Sequence, residues 1–439
     1  SLLLLFNTPL ISPLFALTAN SDANLPACCM RKGAHHCNMR MAPANASHSA
    51  VFAAIPTKCP FYPRPVTTVR SNNAQLHVQS LALTTAAFAQ DITIAVAGPM
   101  TGGESAFGRQ LKNGADQAIA DLNAAGGVLG KKLALFVGDD ACDPKQARSV
   151  AEKIASQGIP FVAGHYCSSS SIPASEAYAD GNVLEITPAS TNPLFTERKL
   201  WNVARVCGRD DQQGSVAGEY IAKNFKGKNI AILDDKTTYG KGLADETKKT
   251  LNKAGITEKM YASYNKGDKD FTAIVSRMKR DNIDLVFVGG YHQESGLIVR
   301  QMRDQGMKTV LMAGDALADK EFASITGPAG AGTLFTFGPD PRKKETAKAI
   351  VERFKAKGID PEGYTLYTYA AMQVWAQAVA KAGTTDPMKV MKVIKAGAWD
   401  TVIGKMEFDE KGDIKQIDYV VYKWDDKGGY AEVDPGKGT

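Results

Sequence analysis

Residues 164–175 read GHYCSSSSIPAS. One cysteine stands directly before four serines, and Pro173 follows two residues after the last of them. The same letters suit a reactive nucleophile, a polar linker or a loop built to hold a ligand, and the flanks separate these readings. On the N-terminal side, PFVAGH (160–165) is a short apolar run that reads as a strand. On the C-terminal side, SIPASEAYADG (171–181) reads as a helix entered at Pro173, with serine suited to the cap and proline to the first turn. The stretch is therefore expected to be the loop past the carboxyl end of a strand, where open α/β sheets bind ligands.

Strand and helix alternate on both sides of it. ITIAVAG (92–98), KLALFVGDD (132–140) and VLEI (183–186) read as strands. FGRQLKNGADQAIADLNAAGG (107–127) and DPKQARSVAEKIASQG (143–158) read as amphipathic helices, the first ending on glycines. The pattern repeats from Asp210: a helix over 210–225, then NIAILDD (229–235), DLVFVGGY (284–291) and TVLMAGD (309–315) as strands with helical segments between them. Two long helical stretches, 343–357 and 366–382, and two β-like runs, VIGKMEF (402–408) and DYVVYKW (418–424), close the chain. This predicts an α/β protein of two similar lobes, each a mostly parallel sheet flanked by helices, with a crossing near 204–210.

A helix N-terminus at the serine loop offers free N–H groups and the positive end of a dipole, which bind carboxylate or phosphate. The next strand–helix loop, ITPASTNP (186–193), again presents hydroxyls, on Ser190 and Thr191. Two successive loops of this kind favour a binding crevice over ordinary capping. Cys142, in DDACDPKQ, lies past the strand expected beside 160–165, so Cys142 and Cys167 are expected to meet. In an exported protein a disulfide is the natural reading, worth ~3 kcal/mol for a loop of this length. Cys207 is left as a buried free thiol. No base presents itself for a nucleophile, and neither a G-x-S-x-G elbow nor an H-E-x-x-H motif occurs. AGGVLGKK (125–132) lacks the Ser/Thr of a phosphate loop and lies between helix and strand, the wrong order. Tyr291, Phe107 and Asp315 read singly as core aromatics and a helix cap. His292 reads as solvated or capping, and Asp210 and Asp211 as N-terminal helix acids.

The 439 residues carry a net charge of +6, but residues 1–89 hold six basic residues and one acid, so the rest is nearly neutral. Its charges are scattered, which argues against nucleic-acid binding, and no apolar run of membrane-spanning length occurs. The first 89 residues differ in kind: Cys28, Cys29, Cys37 and Cys59 fall there, beside His35 and His36, in a spacing that matches no zinc site. LALTTAAFAQ (81–90) ends in Ala87-Phe88-Ala89, the small-x-small form of a secretory cleavage site, which would leave Gln90 first. Residues 1–89 are expected to be an N-terminal extension absent from the mature protein.

Six stretches together carry a family resemblance: DDACDPKQA, GHYCSSS with PAS following, ITPAST, YGKGLA, GGYH and FDEKGD. From about Asp91 to Trp424 the chain resembles the periplasmic branched-chain amino-acid-binding proteins, of leucine/isoleucine/valine type, that serve ABC importers. The resemblance implies a two-lobed type I periplasmic binding protein with three crossovers in its hinge. Lobe 1 would be 90–209 with 339–417, and lobe 2 would be 210–338 with 418–439. It also implies the Cys142–Cys167 disulfide. Ser168 and Thr191 would hold the ligand's α-carboxylate with backbone N–H groups, Ser190 lying between Thr191 and Ala189. The Ala189 carbonyl, Thr191 and Asp315 would receive the ammonium. Tyr291 would complete the clamp, Tyr239 would cover the ligand on closure, and Phe107 would lie against its side chain. Asp315 stands where some members have glutamate, and Phe107 lacks the hydroxyl of the tyrosine in some relatives, so the preferred side chain stays open.

The function implied is extracytoplasmic capture of Leu, Ile or Val by a monomeric periplasmic protein that hands its cargo to importer permease subunits. No cofactor, metal, nucleic acid or membrane insertion is implied. Two other readings compete. One keeps the fold but takes another amino acid, an amide or an aromatic acid. The other is an enzyme using Ser168 or Cys167.

Overall fold

A computed structural model describes residues 91–416 and 418–433, together with two short paired strands, Met30–Arg31 and Ala34–His35. The secretory-type cleavage site and the remainder of the expected extension lie outside the described residues.

The first sheet is built from β1 (Ile92–Gly98), β2 (Leu133–Asp139), β3 (Phe161–Gly164), β4 (Leu184–Thr187) and β5 (Val203–Arg205). They lie in the order β2-β1-β3-β4-β5, all parallel. β1, β3 and β4 run buried without polar alternation, as a sheet covered on both faces demands. α1 (Ser105–Ala124), α2 (Pro144–Ser156) and α3 (Ser168–Asp180) connect them. Asp143 caps α2 by accepting the N–H groups of Lys145 and Gln146, and Pro144 fits the first turn.

After β5 the chain crosses into α4 (Asp210–Asn224) and a second sheet. β6 (Ile230–Asp234), α5 (Thr238–Lys253), β7 (Met260–Ser263), α6 (Thr272–Arg280), β8 (Leu285–Gly289), α7 (His292–Asp304), β9 (Val310–Ala313) and β10 (Leu334–Phe337) follow. β6 and β8 are buried at all five positions. The chain then returns to the first lobe through α8 (Lys348–Ala356), α9 (Thr365–Ala382), α10 (Pro387–Ala396) and the hairpin β11 (Ala398–Thr401) with β12 (Gly404–Glu407). α9 packs on the first sheet, where Trp375 stacks on Phe161 at 5.0 Å. A third passage carries the chain to β13 (Val420–Trp424) and β14 (Tyr430–Glu432). β13 pairs antiparallel with β10, and β14 with β13, so the second sheet reads β14-β13-β10-β9-β8-β6-β7. The result is the two-lobed α/β architecture of a type I periplasmic binding protein, with the chain passing between lobes three times. No helix among the described residues is long and apolar enough to cross a membrane.

Two local expectations change. β2 and β3, expected side by side, are separated by β1, although Cys142 and Cys167 past their ends still join. The serine stretch is not loop as far as Pro173. Cys167 is the N-cap of α3, and Ser170 and Ser171 already donate their N–H groups to its carbonyl at 2.9 and 3.0 Å. Pro173 therefore lies inside the helix, where its missing N–H forgoes one i→i−4 bond.

Candidate functional site

Ser168 opens α3, and its hydroxyl accepts the Asn192 N–H at 3.2 Å. Cys142 and Cys167 are joined, with Cα atoms 5.6 Å apart, which pins this turn to the end of β2. The two hydroxyl-rich loops are also tied to each other. Thr187 Oγ1 donates to the His165 carbonyl at 2.7 Å and accepts the N–H groups of Ala189 and Ser190. Ser171 Oγ and Ser190 Oγ lie 2.7 Å apart, and Ser190 donates on to the Tyr166 carbonyl at 2.9 Å. Ser190 is thus engaged inside the loops, whereas buried Thr191 Oγ1 has no hydrogen-bond partner among the described residues.

The carbonyls on either side of Thr191 are held from below. Arg205, fully buried, donates to the Ser190 carbonyl at 2.7 Å and the Asn192 carbonyl at 3.0 Å. Its Nε meets Asp413 Oδ1 at 2.6 Å. Asp413 stands at the end of FDEKGD, where Asp409 Oδ1 accepts three successive N–H groups, those of Lys411, Gly412 and Asp413. That motif is therefore a turn that delivers a carboxylate to Arg205. Sequence reasoning missed both partners, because neither has a local signature.

The second lobe supplies Tyr239 from the first turn of α5, Tyr291 as the N-cap of α7, and Asp315 in the single turn after β9. Asp315 is 3% exposed. It accepts the Tyr239 hydroxyl at 2.7 Å and the Tyr364 hydroxyl on its other oxygen. Burial pushes its pKa up despite these bonds. Tyr364 was not anticipated: it belongs to the return passage to lobe 1, 49 residues from its partner. The Tyr291 hydroxyl has no hydrogen-bond partner among the described residues.

An aromatic belt joins the two sets. Phe107 stacks on Tyr166 at 4.4 Å and 10°. Tyr166 lies 5.9 Å from both Tyr291 and Tyr364, and Tyr239 lies 5.1 Å from Tyr291. Direct bonds also cross between lobes: Asn192 Nδ2 donates to the Thr238 carbonyl, Gln110 Nε2 to Asp319 and Gln293 Nε2 to the Gly103 carbonyl, each at 2.8 Å. Every residue singled out from the sequence for ligand binding is buried in this region.

One reading needs correction. His292 is neither solvated nor a plain cap: it is fully buried as the first residue of α7, 3.2 Å from Glu104. Asp210 is the N-terminal helix acid expected, the first residue of α4. Both its oxygens are buried without a full hydrogen bond among the described residues, with the Thr191 hydroxyl nearest, and burial, followed by the nearby Asp315 charge, holds its pKa well above the usual carboxylate range. Asp211 matches the expectation too, half-exposed and paired with Arg209 at 2.9 Å. Cys207 is the buried free thiol expected, kept protonated by burial.

The arrangement offers a helix N-terminus with hydroxyls on one side and a buried carboxylate ringed by tyrosines on the other. Comparisons with known proteins show the family. The family model described as periplasmic binding protein matches residues 91–429. A Brucella suis protein named Leu/Ile/Val-binding protein homolog 1 is 50% identical over 336 residues, 76% of this chain and 91% of its own. A Pseudomonas aeruginosa amino acid binding protein is 49% identical over 346 residues, 78% and 92% of the two chains. The crystal structure of a leucine binding protein, LivK from Thermotoga maritima, superposes with a TM-score of 0.73 at 30% identity, covering 78% of this chain and 98% of that one. The chain belongs to the periplasmic binding protein family.

Proposed function

We propose that this protein captures branched-chain aliphatic L-amino acids between its lobes in the periplasm, as a monomer, and delivers them to the permease of an ABC importer. The observation that carries this reading is that the aromatic belt joins a helix start bearing Ser168 to a buried carboxylate, Asp315, which Tyr364 and Tyr239 hold in the same belt. A zwitterion is costly to desolvate, so each of its charges needs directed partners. Ser168, Thr191 and the N–H groups of α3 serve the α-carboxylate, at the positive end of the helix. The Ala189 carbonyl, Thr191 Oγ1 and Asp315 serve the ammonium, with Tyr239 orienting Asp315. Ser190, engaged within the loops, contributes by placing its two neighbours. Tyr291 closes over the ligand, and Phe107 meets its side chain.

Lobe 1, residues 90–209 with 339–417, and lobe 2, residues 210–338 with 418–439, act as the two moving bodies, and closure creates the surface the permease reads. Catalysis has little support at this site. Cys167 is bound to Cys142, and both ring nitrogens of His165 are engaged, by Asp140 and by the Tyr178 hydroxyl, so His165 is not free to act as a base.

Isothermal titration of the purified protein, stripped of bound ligand with its disulfide kept, tests the proposal. L-leucine, L-isoleucine and L-valine are expected to bind stoichiometrically, while D-leucine and 4-methylpentanoate, which lacks the ammonium, fail. Tight binding of 4-methylpentanoate or of 4-hydroxybenzoate in place of the amino acids would overturn it.

A further inference from the structure

At the edge of the cleft, Glu104 Oε2 lies 3.2 Å from His292 Nδ1. Glu104 caps α1 in the first lobe, and His292 begins α7 in the second. Both are buried, at 2% and 0% exposure. Neither atom makes a hydrogen bond among the described residues, so the 3.2 Å approach of the two opposite groups is the only polar contact either has. The other imidazole nitrogen lies 3.3 Å from Glu321 Oε2, a half-exposed carboxylate of the same lobe as His292. The imidazole also stands edge-on to Phe107 at 5.3 Å.

We propose that Glu104 and His292 form a proton-operated latch: His292 takes up a proton as the lobes shut, so the ligand is held more tightly in mildly acidic than in alkaline solution. The latch rests on the reading above that two lobes close on an amino acid.

The surrounding charges set the sign. Burial opposes the imidazolium, but Glu104 and Glu321 outweigh it and move His292 up to about 9. Glu321 is lowered in turn by His292, as a true ion pair requires. The N-terminus of α7 disfavours a cation at its first residue. Lys266, 3.6 Å from Glu104 Oε1 and 4.6 Å over the Tyr291 ring, competes for the same carboxylate. Glu294, on the first turn of α7, accepts the Gly267 N–H and is itself raised by burial, and Arg109 on α1 faces Glu321. When the lobes part, Glu321 stays with His292 and Glu104 leaves. Only the share due to Glu104 therefore couples protons to closure. Because the closed-state value is the raised one, this share is fully present below the ordinary histidine value of about 6.5 and is lost as the pH climbs through about 9. Its expected size is a roughly tenfold change in Kd.

The test titrates L-leucine from pH 6 to 8.5, below the range where the ligand's own ammonium ionises. The unaltered protein is expected to weaken roughly threefold over this range, the part of the tenfold effect lost by pH 8.5. Glu104→Gln and His292→Gln should flatten that dependence while melting within a few degrees of the parent. The imidazole resonance of His292, assigned by its loss in His292→Gln, should titrate at higher pH in leucine-saturated than in ligand-free protein. Small-angle X-ray scattering of ligand-free protein should show a more compact particle at pH 6 than at pH 8.5, and no such difference in Glu104→Gln. Equal pH slopes in parent and Glu104→Gln, or an unmoved His292 titration, would overturn the latch. Failure of leucine to bind at any pH would remove the proposed ligand, and the scattering comparison would still decide the latch.

Discussion

Replacing Asp413 by alanine removes the carboxylate that FDEKGD delivers to Arg205. Arg205 is fully buried and donates to four acceptors: Asp413, the Ser190 and Asn192 carbonyls, and Thr196 Oγ1 at 3.0 Å. Only Asp413 carries charge. Without it the guanidinium stays buried and uncompensated, a loss of about 3–5 kcal/mol. Arg209, which also meets Asp413 at 2.6 Å, keeps Asp211 and Glu197 and loses less. For a folded body of roughly 340 residues, the unfolding entropy near the midpoint is about 0.7 kcal/mol/K, so the melting temperature should fall by about 4–7 °C. Thr191 sits between the two carbonyls Arg205 holds, so leucine affinity should fall as well, by about tenfold or more, from a displacement of well under an ångström. Thermal unfolding followed by circular dichroism, with isothermal titration on the same samples, measures both. Arg205→Met with Asp413→Leu should recover part of the stability, since an apolar pair leaves no orphan charge. A melting temperature within 1 °C of the parent with unchanged affinity would refute the idea that this ion pair supports the loop.

Asp315→Asn should lower leucine affinity by at least about thirtyfold, because an amide cannot repay the buried ammonium, and should leave the ligand-free protein as stable or more so, since burial already disfavours the Asp315 charge; parallel titration and melting check both. Asp235, raised by burial to about 7, adds stability that is full below its unfolded value and is lost as pH rises through about 7. Asp235→Asn, which keeps an acceptor for Thr237, should therefore reduce the decline in melting temperature of ligand-free protein between pH 4 and 8. Breaking the disulfide with Cys142→Ser should cost about 3 kcal/mol for a 25-residue separation and weaken binding, because Cys167 is the N-cap that places Ser168; loss of stability without loss of affinity would separate the two roles. Leucine should bind more tightly than alanine by about 2–3 kcal/mol, from three additional buried carbon groups at roughly 0.8 kcal/mol each, a difference that competition titration resolves.

Much of the fold was legible because its signals are local. Buried parallel strands read as unbroken apolar runs, and ITIAVAG is β1 residue for residue. Shorter strands with mixed burial, such as β7 and β14, gave no such run and went unread. The two hydroxyl loops followed from where strand ends must lie in a parallel sheet, whereas the cysteine pair was read from a β2–β3 adjacency that the sheet does not have, since β1 lies between them and the two strand ends still come close enough for the bond. What the residues could not announce were partnerships across long separations. Arg205 and Asp413 are 208 residues apart, and Asp315 meets Tyr239 across 76. His292 looked like a cap because its neighbours in the chain are those of a cap.

By itself, then, the sequence determined the alternation of strands and helices, the capped helix starts and the hydroxyl-bearing loops, since periodicity and capping act over a few residues. Only the tertiary structure decided which buried polar groups pair and which are left without hydrogen-bond partners among the described residues, as Thr191 Oγ1 and the Tyr291 hydroxyl are. It also decided that α9 packs back on the first lobe and that β13 joins the second. Such choices depend on distances through space, and a charge taken out of water must find its partner wherever the fold brings one near.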